Sequence, residues 1–144
     1  LITGANLRLT QRSLGQDPAS DAEVYLADTL GETGLWYALA PITCLCGSFS
    51  KVGGHNPFEP AQGGSAILHG PHYANFSQVY AEFDAAGAAR EVSDAKALSD
   101  AVLHLMDDDT ARHALADHAK TLSHAQDKGL DDIARDLSKA LDLG

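Results

Sequence analysis

Hydrophobic and polar positions along the chain fall into two regimes: up to about residue 92 short apolar runs alternate with helical stripes, and from Ser93 onward only the helical period remains. "LRLTQRS" at 7–13 alternates as a short strand, followed by the polar loop "LGQDPASDAE". "VYLAD" at 24–28 is a compact β-rich run ending in an acid, the pattern of a buried strand in an α/β fold. "TLGETGLWYALAP" sets Leu35, Trp36 and Leu39 on a helical stripe that Pro41 stops. "ITCLCG" predicts the next strand, and Asn56 to about Gly63 predicts a helix. "SAILHG" predicts a buried strand, "PHYANFSQVYAEFDAAG" a helix closed by Gly87, and "AAREV" a last short strand. Beyond it, Ser93 or Asp94 caps a helix whose apolar face is Ala97, Leu98, Ala101, Val102, Leu105 and Met106. A second helix carries Ala111, Leu115, Ala119 and Leu122; Gly129 breaks it, and Leu130, Ile133, Ala134, Leu137 and Leu141 mark a third.

Strands alternating with helices imply parallel pairing, so the expected fold is a Rossmann-like, doubly wound α/β sheet with extra C-terminal helices. Such sheets place ligands beyond the carboxyl ends of their strands. That rule points to 29–33, 47–56 and 69–76, all rich in glycine or polar residues.

The length, 144 residues, suits one domain, and 44% hydrophobic with 21% charged residues is ordinary for a soluble globular chain. The sequence opens at Leu1 in mid-pattern and its sole methionine is Met106, so a piece of a longer protein is expected. No run approaches the ~18 apolar residues of a membrane span, and the opening residues show no signal peptide. A formal net charge of −10 argues against nucleic acid and against an anionic membrane surface as partners. It leaves room for a small anion, which helix N-termini can bind locally. Cys44 and Cys46 alternate to one face and read as two small buried hydrophobes in a reducing compartment; no further ligands stand at metal-site spacing. His69 closes a strand and is expected to orient a loop, while His104, His113, His118 and His124 read as surface residues of amphipathic helices. The acidic run "MDDDTAR" reads as a loop and helix start rather than a metal site.

The stretch "KVGGHNPFEPAQGG" at 51–64 concentrates the candidate chemistry. Asn56 suits an N-cap, Pro57 the first helical position, and Glu59 a capping box that reaches back. Capping leaves Gly53 and Gly54 unexplained, since paired glycines permit positive φ and close approach of a ligand to the main chain. Because Pro57 lacks a donor, the N–H groups of Phe58 and Glu59 remain for an anion or a capping side chain. On the residues alone, capping and ligand binding stand level.

"GGHNPFEP" resembles the signature of the Kdo (3-deoxy-D-manno-octulosonic acid) transferases, and "RSLG" at 12–15, "DTLGETGLWYALA" at 28–40, "GSF" at 47–49 and "GPHYANF" at 70–76 match in order. The resemblance runs from about Arg8 to the last helices. It implies a GT-B glycosyltransferase, with residues 1–144 as a partial C-terminal nucleotide-sugar-binding domain. The donor it implies is CMP-Kdo and the acceptor a lipid A precursor, bound through an N-terminal domain absent from this chain. The family's general base lies in that absent domain, so no catalytic residue is expected here and the fragment alone is expected to be inactive. An inverting reaction without metal or cofactor, at the cytoplasmic face of the bacterial inner membrane, is likewise implied. Carried over by residue, the CMP contacts are Leu30, Gly31 and Glu32 together with Asn56, Pro57, Phe58 and Glu59; Ser48, Lys51, Gly53, Gly54 and His55 are additional candidates. Val52 stands where the family carries an arginine, with Lys51 one step earlier. The family also has an opening strand–helix–strand stretch before Leu1, whose loss should expose a sheet edge at "VYLAD" for "LRLTQRS" or a second copy to cover. Alternatives are a GT-B transferase or epimerase using a uridine nucleotide, or a non-catalytic nucleotide-binding module. A response-regulator-like domain is disfavoured, because Asp28 has no acidic cluster beside it in the sequence.

Overall fold

The computed structural model describes residues 3–141. Two compact units divide at Trp36 and Tyr37, and each contains its own parallel sheet, in place of the single sheet expected.

In the first unit, β1 (Leu9–Gln11) pairs in parallel with β2 (Val24–Leu26), with Leu9 opposite Val24 and Gln11 opposite Leu26. "LRLTQRS" therefore does cover an edge of "VYLAD". Both strands are shorter than the sequence suggests. Arg12 opens a single 3₁₀ turn that ends at Gly15, φ +69°. Asp28 lies past the strand and accepts hydrogen bonds from Ser13 N, Ser13 Oγ and Gln11 Nε2 at 3.0, 2.8 and 2.6 Å. β2 is not a buried strand: Val24 and Tyr25 are half-buried and Leu26 is exposed. Tyr25 packs on Trp36 with ring centroids 5.5 Å apart. α1 (Thr33–Leu39) runs across the division and ends before Pro41, with Leu35 and Leu39 exposed.

The second unit is built on β3 (Ile42–Leu45), β4 (Ala66–His69) and β5 (Arg90–Glu91), all parallel, with β4 in the centre. Every residue of β4 is buried. Alternation sends Ile67 into a cluster with Leu45, Tyr80 and Phe83, and Ala66 and Leu68 into a second with Val92, Ala101 and Leu105. Burying Ile67 and Leu68 stabilises the sheet by roughly 1.5–3 kcal/mol each. α2 (Phe58–Gly63) and α3 (Ser77–Ala85) precede and follow β4.

α4 (Ala95–Asp107) is capped by Asp94, whose Oδ1 accepts from Ala97 N at 2.8 Å, and α5 (Asp109–Ala140) by Asp108, which accepts from Ala111 N at 2.9 Å. α5 continues through Gly129 for 32 residues, so the expected break is absent. An interior glycine costs a helix only about 1 kcal/mol relative to alanine, too little to end one anchored upstream by its packing on the second unit. Ala116 and Ala119 of α5 enter the two clusters. Among the described residues, no helix is long and apolar enough to cross a membrane.

Candidate functional site

Parallel pairing brings the carboxyl ends of β3 and β4 to the same side of the second unit. The chain leaving β3 makes the turn Cys46–Phe49, then the loop 50–57; the chain leaving β4 makes the loop 70–76. These two loops are stitched together. Gly70 N donates to Ser48 Oγ at 2.6 Å, His72 N to Ser48 O at 2.8 Å, Asn75 N to Gly53 O at 3.1 Å and Asn75 Nδ2 to Val52 O at 2.8 Å. This docking is why the helix expected from Pro71 starts only at Ser77: Asn75 is occupied in bonding to the other loop.

Gly53 and Gly54 have φ of +85° and +92°, as the paired glycines suggested. Their close approach is to the protein itself. A Cβ on Gly53 would lie 2.8 Å from Asn75 Nδ2, and one on Gly54 would lie 3.1 Å from Tyr73 Cβ. The glycine pair is thus accounted for by the docked loop without a ligand.

The helix after the pair begins differently from the sequence reading. α2 starts at Phe58, with Pro57 in the capping position and Asn56 one residue earlier. Asn56 Oδ1 still accepts a backbone donor, Phe58 N at 3.1 Å. The Phe58 amide is therefore taken, and Pro57 and Pro60 have none. Ala61 N returns to Pro57 O at 3.2 Å. The Glu59 amide is the remaining helix-start donor without a partner among the described residues. No capping box forms; the Glu59 side chain is exposed. It lies near Tyr37, whose phenol is pushed up first by burial and then by the Glu59 charge. Pro57 is buried and Phe58 is half-buried edge-on to Phe83 at 5.1 Å.

Beside these loops lies a cleft of about 520 Å³ lined by Ser50, Lys51, Gly53, Pro71, His72, Tyr73, Ala74 and Ser77. Its floor is rigid. Buried His69 bonds through Nδ1 to Gly70 O at 2.9 Å and through Nε2 to Asp84 Oδ1 at 3.0 Å, which bears out its expected role in orienting a loop. Tyr73 stacks on Tyr80 at 4.8 Å, and Tyr80 Oη donates to His55 O at 2.8 Å. Burial pushes the Tyr80 phenol up to about 12.

Ser48 does not offer a hydroxyl donor to a ligand. It is fully buried, and its Oγ donates to Leu45 O at 2.5 Å while accepting from Gly70 N. His55 is exposed and bonds through its carbonyl. Lys51 is exposed on the cleft wall. Cys46 is exposed and Cys44 only half-buried, so the pair is not the buried hydrophobic pair expected, because Cys46 already belongs to the turn after β3.

Leu30, Gly31 and Glu32 belong to the first unit. Leu30 is fully exposed and plugs no core; Gly31 has φ +84°. Glu32 is held by Arg12, whose Nη2 and Nε donate to its two oxygens at 2.7 and 3.1 Å, and by the Thr29 hydroxyl. The Arg12 bonds, then the Thr29 bond, hold the Glu32 carboxyl down to about 2. Arg12 and Asn75 lie within the family-like motifs "RSLG" and "GPHYANF", and nothing in those motifs signals their partners. Opposite charges twenty positions apart leave no local periodicity to find.

No family model matches the chain. It is 35% identical over 127 residues to the 3-deoxy-D-manno-octulosonic acid transferase of Bordetella pertussis, a likeness covering 86% of this chain and 30% of that protein. The transferase of the same name from Haemophilus influenzae is 32% identical over 116 residues, covering 80% of this chain and 27% of the relative. The chain thus spans less than a third of the length of these proteins. The crystal structure of the C-terminal CMP-Kdo binding domain of WaaA from Acinetobacter baumannii matches with a TM-score of 0.79 at 34% identity, covering 83% of this chain and 63% of that one. This likeness bears out the expected α/β fold of a GT-B C-terminal domain. Ordered motifs, parallel sheets and overall likeness agree: the chain belongs to the 3-deoxy-D-manno-octulosonic acid transferase family.

Proposed function

We propose that this chain is the donor-binding part of an inverting glycosyltransferase that moves Kdo from CMP-Kdo to a lipid A precursor in lipopolysaccharide core synthesis, at the cytoplasmic face of the inner membrane. The observation that carries the reading is the likeness to the C-terminal CMP-Kdo binding domain of WaaA. The Glu59 amide, without a partner among the described residues, and the cleft that Lys51 lines are two places where this chain offers donors to an anion. Fixed donors of this kind suit the phosphate of a nucleotide and the charge that grows as it departs. The exposed Glu59 carboxylate suits ribose hydroxyls, as acids do in other nucleotide sites. Asn56, Pro57 and Phe58 support these groups by fixing the start of α2 rather than by donating. Gly53 lines the cleft, Gly54 packs against Tyr73, and His55 contributes its carbonyl to Tyr80. Leu30, Gly31 and Glu32 are carried into the reading by family resemblance.

In this proposal CMP-Kdo is a substrate, no resident cofactor is assigned, and the acceptor and general base come from another domain. Holding reactants in register supplies much of a transferase's rate. The chain by itself is therefore expected to bind nucleotide and to transfer no sugar. Calorimetric titration with CMP, UMP and UDP tests the assignment. Saturable binding of CMP at least about tenfold tighter than either uridine nucleotide is expected, a difference of about 1.4 kcal/mol. Equal or tighter uridine binding would move the chain to a uridine-using transferase or epimerase, and no binding of any nucleotide would overturn the reading.

A further inference from the structure

Two thiols sit at the end of β3. Cys44 is half-buried in the strand, and Cys46, which opens the turn Cys46–Phe49, is exposed. Their sulfurs lie 3.8 Å apart. A disulfide needs about 2.05 Å between sulfurs and a Cα separation below about 6.8 Å. Two residues along an extended chain span roughly that distance, so side-chain rotation with a small shift of Cys46 closes the gap. Among the described residues no third His, Cys, Asp or Glu completes a metal site with this pair. Burial, then the neighbouring Cys46, pushes the Cys44 thiol up to about 12. Cys46 is exposed and Cys44 half-buried, so Cys46 is the sulfur that meets a reagent first and Cys44 the one that follows.

We propose that Cys44 and Cys46 form a reversible dithiol–disulfide couple, oxidised by a low-molecular-weight disulfide, at the base of the turn that holds Gly70. The Cys46 thiolate attacks one sulfur of the reagent, the reagent's S–S bond breaks, and one thiolate leaves and takes up the proton Cys46 gave up. Cys44 then loses its proton and attacks Cys46 Sγ, and the second reagent thiol departs with that proton. The chain loses two electrons and the reagent is reduced to two thiols. The consequence for the fold follows from position. Leu45 O, between the two cysteines, accepts from Ser48 Oγ, and Ser48 Oγ in turn accepts from Gly70 N. Drawing Cys46 toward Cys44 twists that turn and frees the Gly70 amide.

The test is incubation of the chain with glutathione disulfide, followed by intact mass and thiol titration without reductant. The expected product has lost two hydrogens, both titratable thiols and any adduct, and dithiothreitol restores it. Cys44→Ala is expected to stop at a glutathione adduct on Cys46, and Cys46→Ser to form no adduct. The wild-type measurement does not depend on either variant folding. A persistent adduct on the wild-type chain, a covalent dimer, or two thiols that stay free would each overturn the couple. In the oxidised chain, hydrogen exchange at the Gly70 amide is expected to quicken by about tenfold or more, the signature of a local opening. Unchanged exchange in fully oxidised protein would overturn the link to the turn.

Discussion

Replacing Gly53 by alanine separates two reasons for a glycine there. Its φ is +85°, and a Cβ would stand 2.8 Å from Asn75 Nδ2 and 3.0 Å from Asn75 Cγ. Left-handed backbone costs an L-residue roughly 1–2 kcal/mol. To clear the methyl, Asn75 must swing away and give up its 2.8 Å donation to Val52 O, a bond worth about 0.5–1.5 kcal/mol. The expected loss is the sum, about 1.5–3.5 kcal/mol. Gly64 supplies the control: it has φ +80° with open space where a Cβ would go, so Gly64→Ala carries the backbone term alone. Both residues lie in the second unit, whereas the sole tryptophan, Trp36, lies in the first. Denaturant melts should therefore be followed by far-UV circular dichroism, which reports the helices. Adding Asn75→Ala to Gly53→Ala removes the colliding atoms. The double variant should lose about 1 kcal/mol less than the two single losses combined, because the same hydrogen bond cannot be lost twice. If Gly53→Ala costs no more than Gly64→Ala, or if the two losses simply add, then contact with Asn75 is not what requires the glycine.

The Arg12–Glu32 pair sets a pH dependence. The folded Glu32 carboxyl sits at about 2 against an ordinary value of 4.5, so its stabilisation is complete above the ordinary value and is lost as pH falls from there toward the folded one. Trp36 fluorescence in acid melts should show this limb in the native chain and not in Arg12→Gln. Ser48→Ala strips the buried Gly70 amide of its acceptor and should cost about 1–3 kcal/mol in the same dichroism melts; a loss under half that lower bound would mean the loops are held elsewhere. If CMP is held without a metal, EDTA should leave its calorimetric affinity unchanged, and a weakening of about tenfold would contradict the proposal.

What the sequence made legible is whatever depends on neighbours in the chain. "SAILHG" reads as a buried strand because an uninterrupted apolar run suits a central parallel strand, and Asp94 reads as a cap because its partner, Ala97 N, is three residues away. The missed features depend on distant segments. Asn75 reaches Val52 and Gly53, so a helical-looking stretch gives up its first turn to dock a loop. Arg12 reaches Glu32 across twenty positions. Gly129 reads locally as a breaker and is overridden because α5 packs along the second unit upstream of it through Ala116, Ala119 and Leu122.

The same distinction narrows the nucleotide reading and gives it a sharper test. Positive φ at Gly53 and Gly54 serves the docking of Asn75 and Tyr73, so the glycine pair alone is no evidence for a ligand. Of the two amides open to an anion or a capping side chain, the one on Phe58 donates to Asn56 Oδ1. A single amide on a six-residue helix carries little of the dipole that a long helix would supply. A phosphate bound in the cleft would instead meet Lys51, the one lysine or arginine among its lining residues. Lys51→Ala is exposed and should leave stability unchanged, yet weaken CMP by about tenfold, roughly the worth of one charge-assisted hydrogen bond. Cytidine, which has no phosphate, should bind native and variant chains equally. Parallel losses for CMP and cytidine would show that Lys51 shapes the cleft without meeting the phosphate.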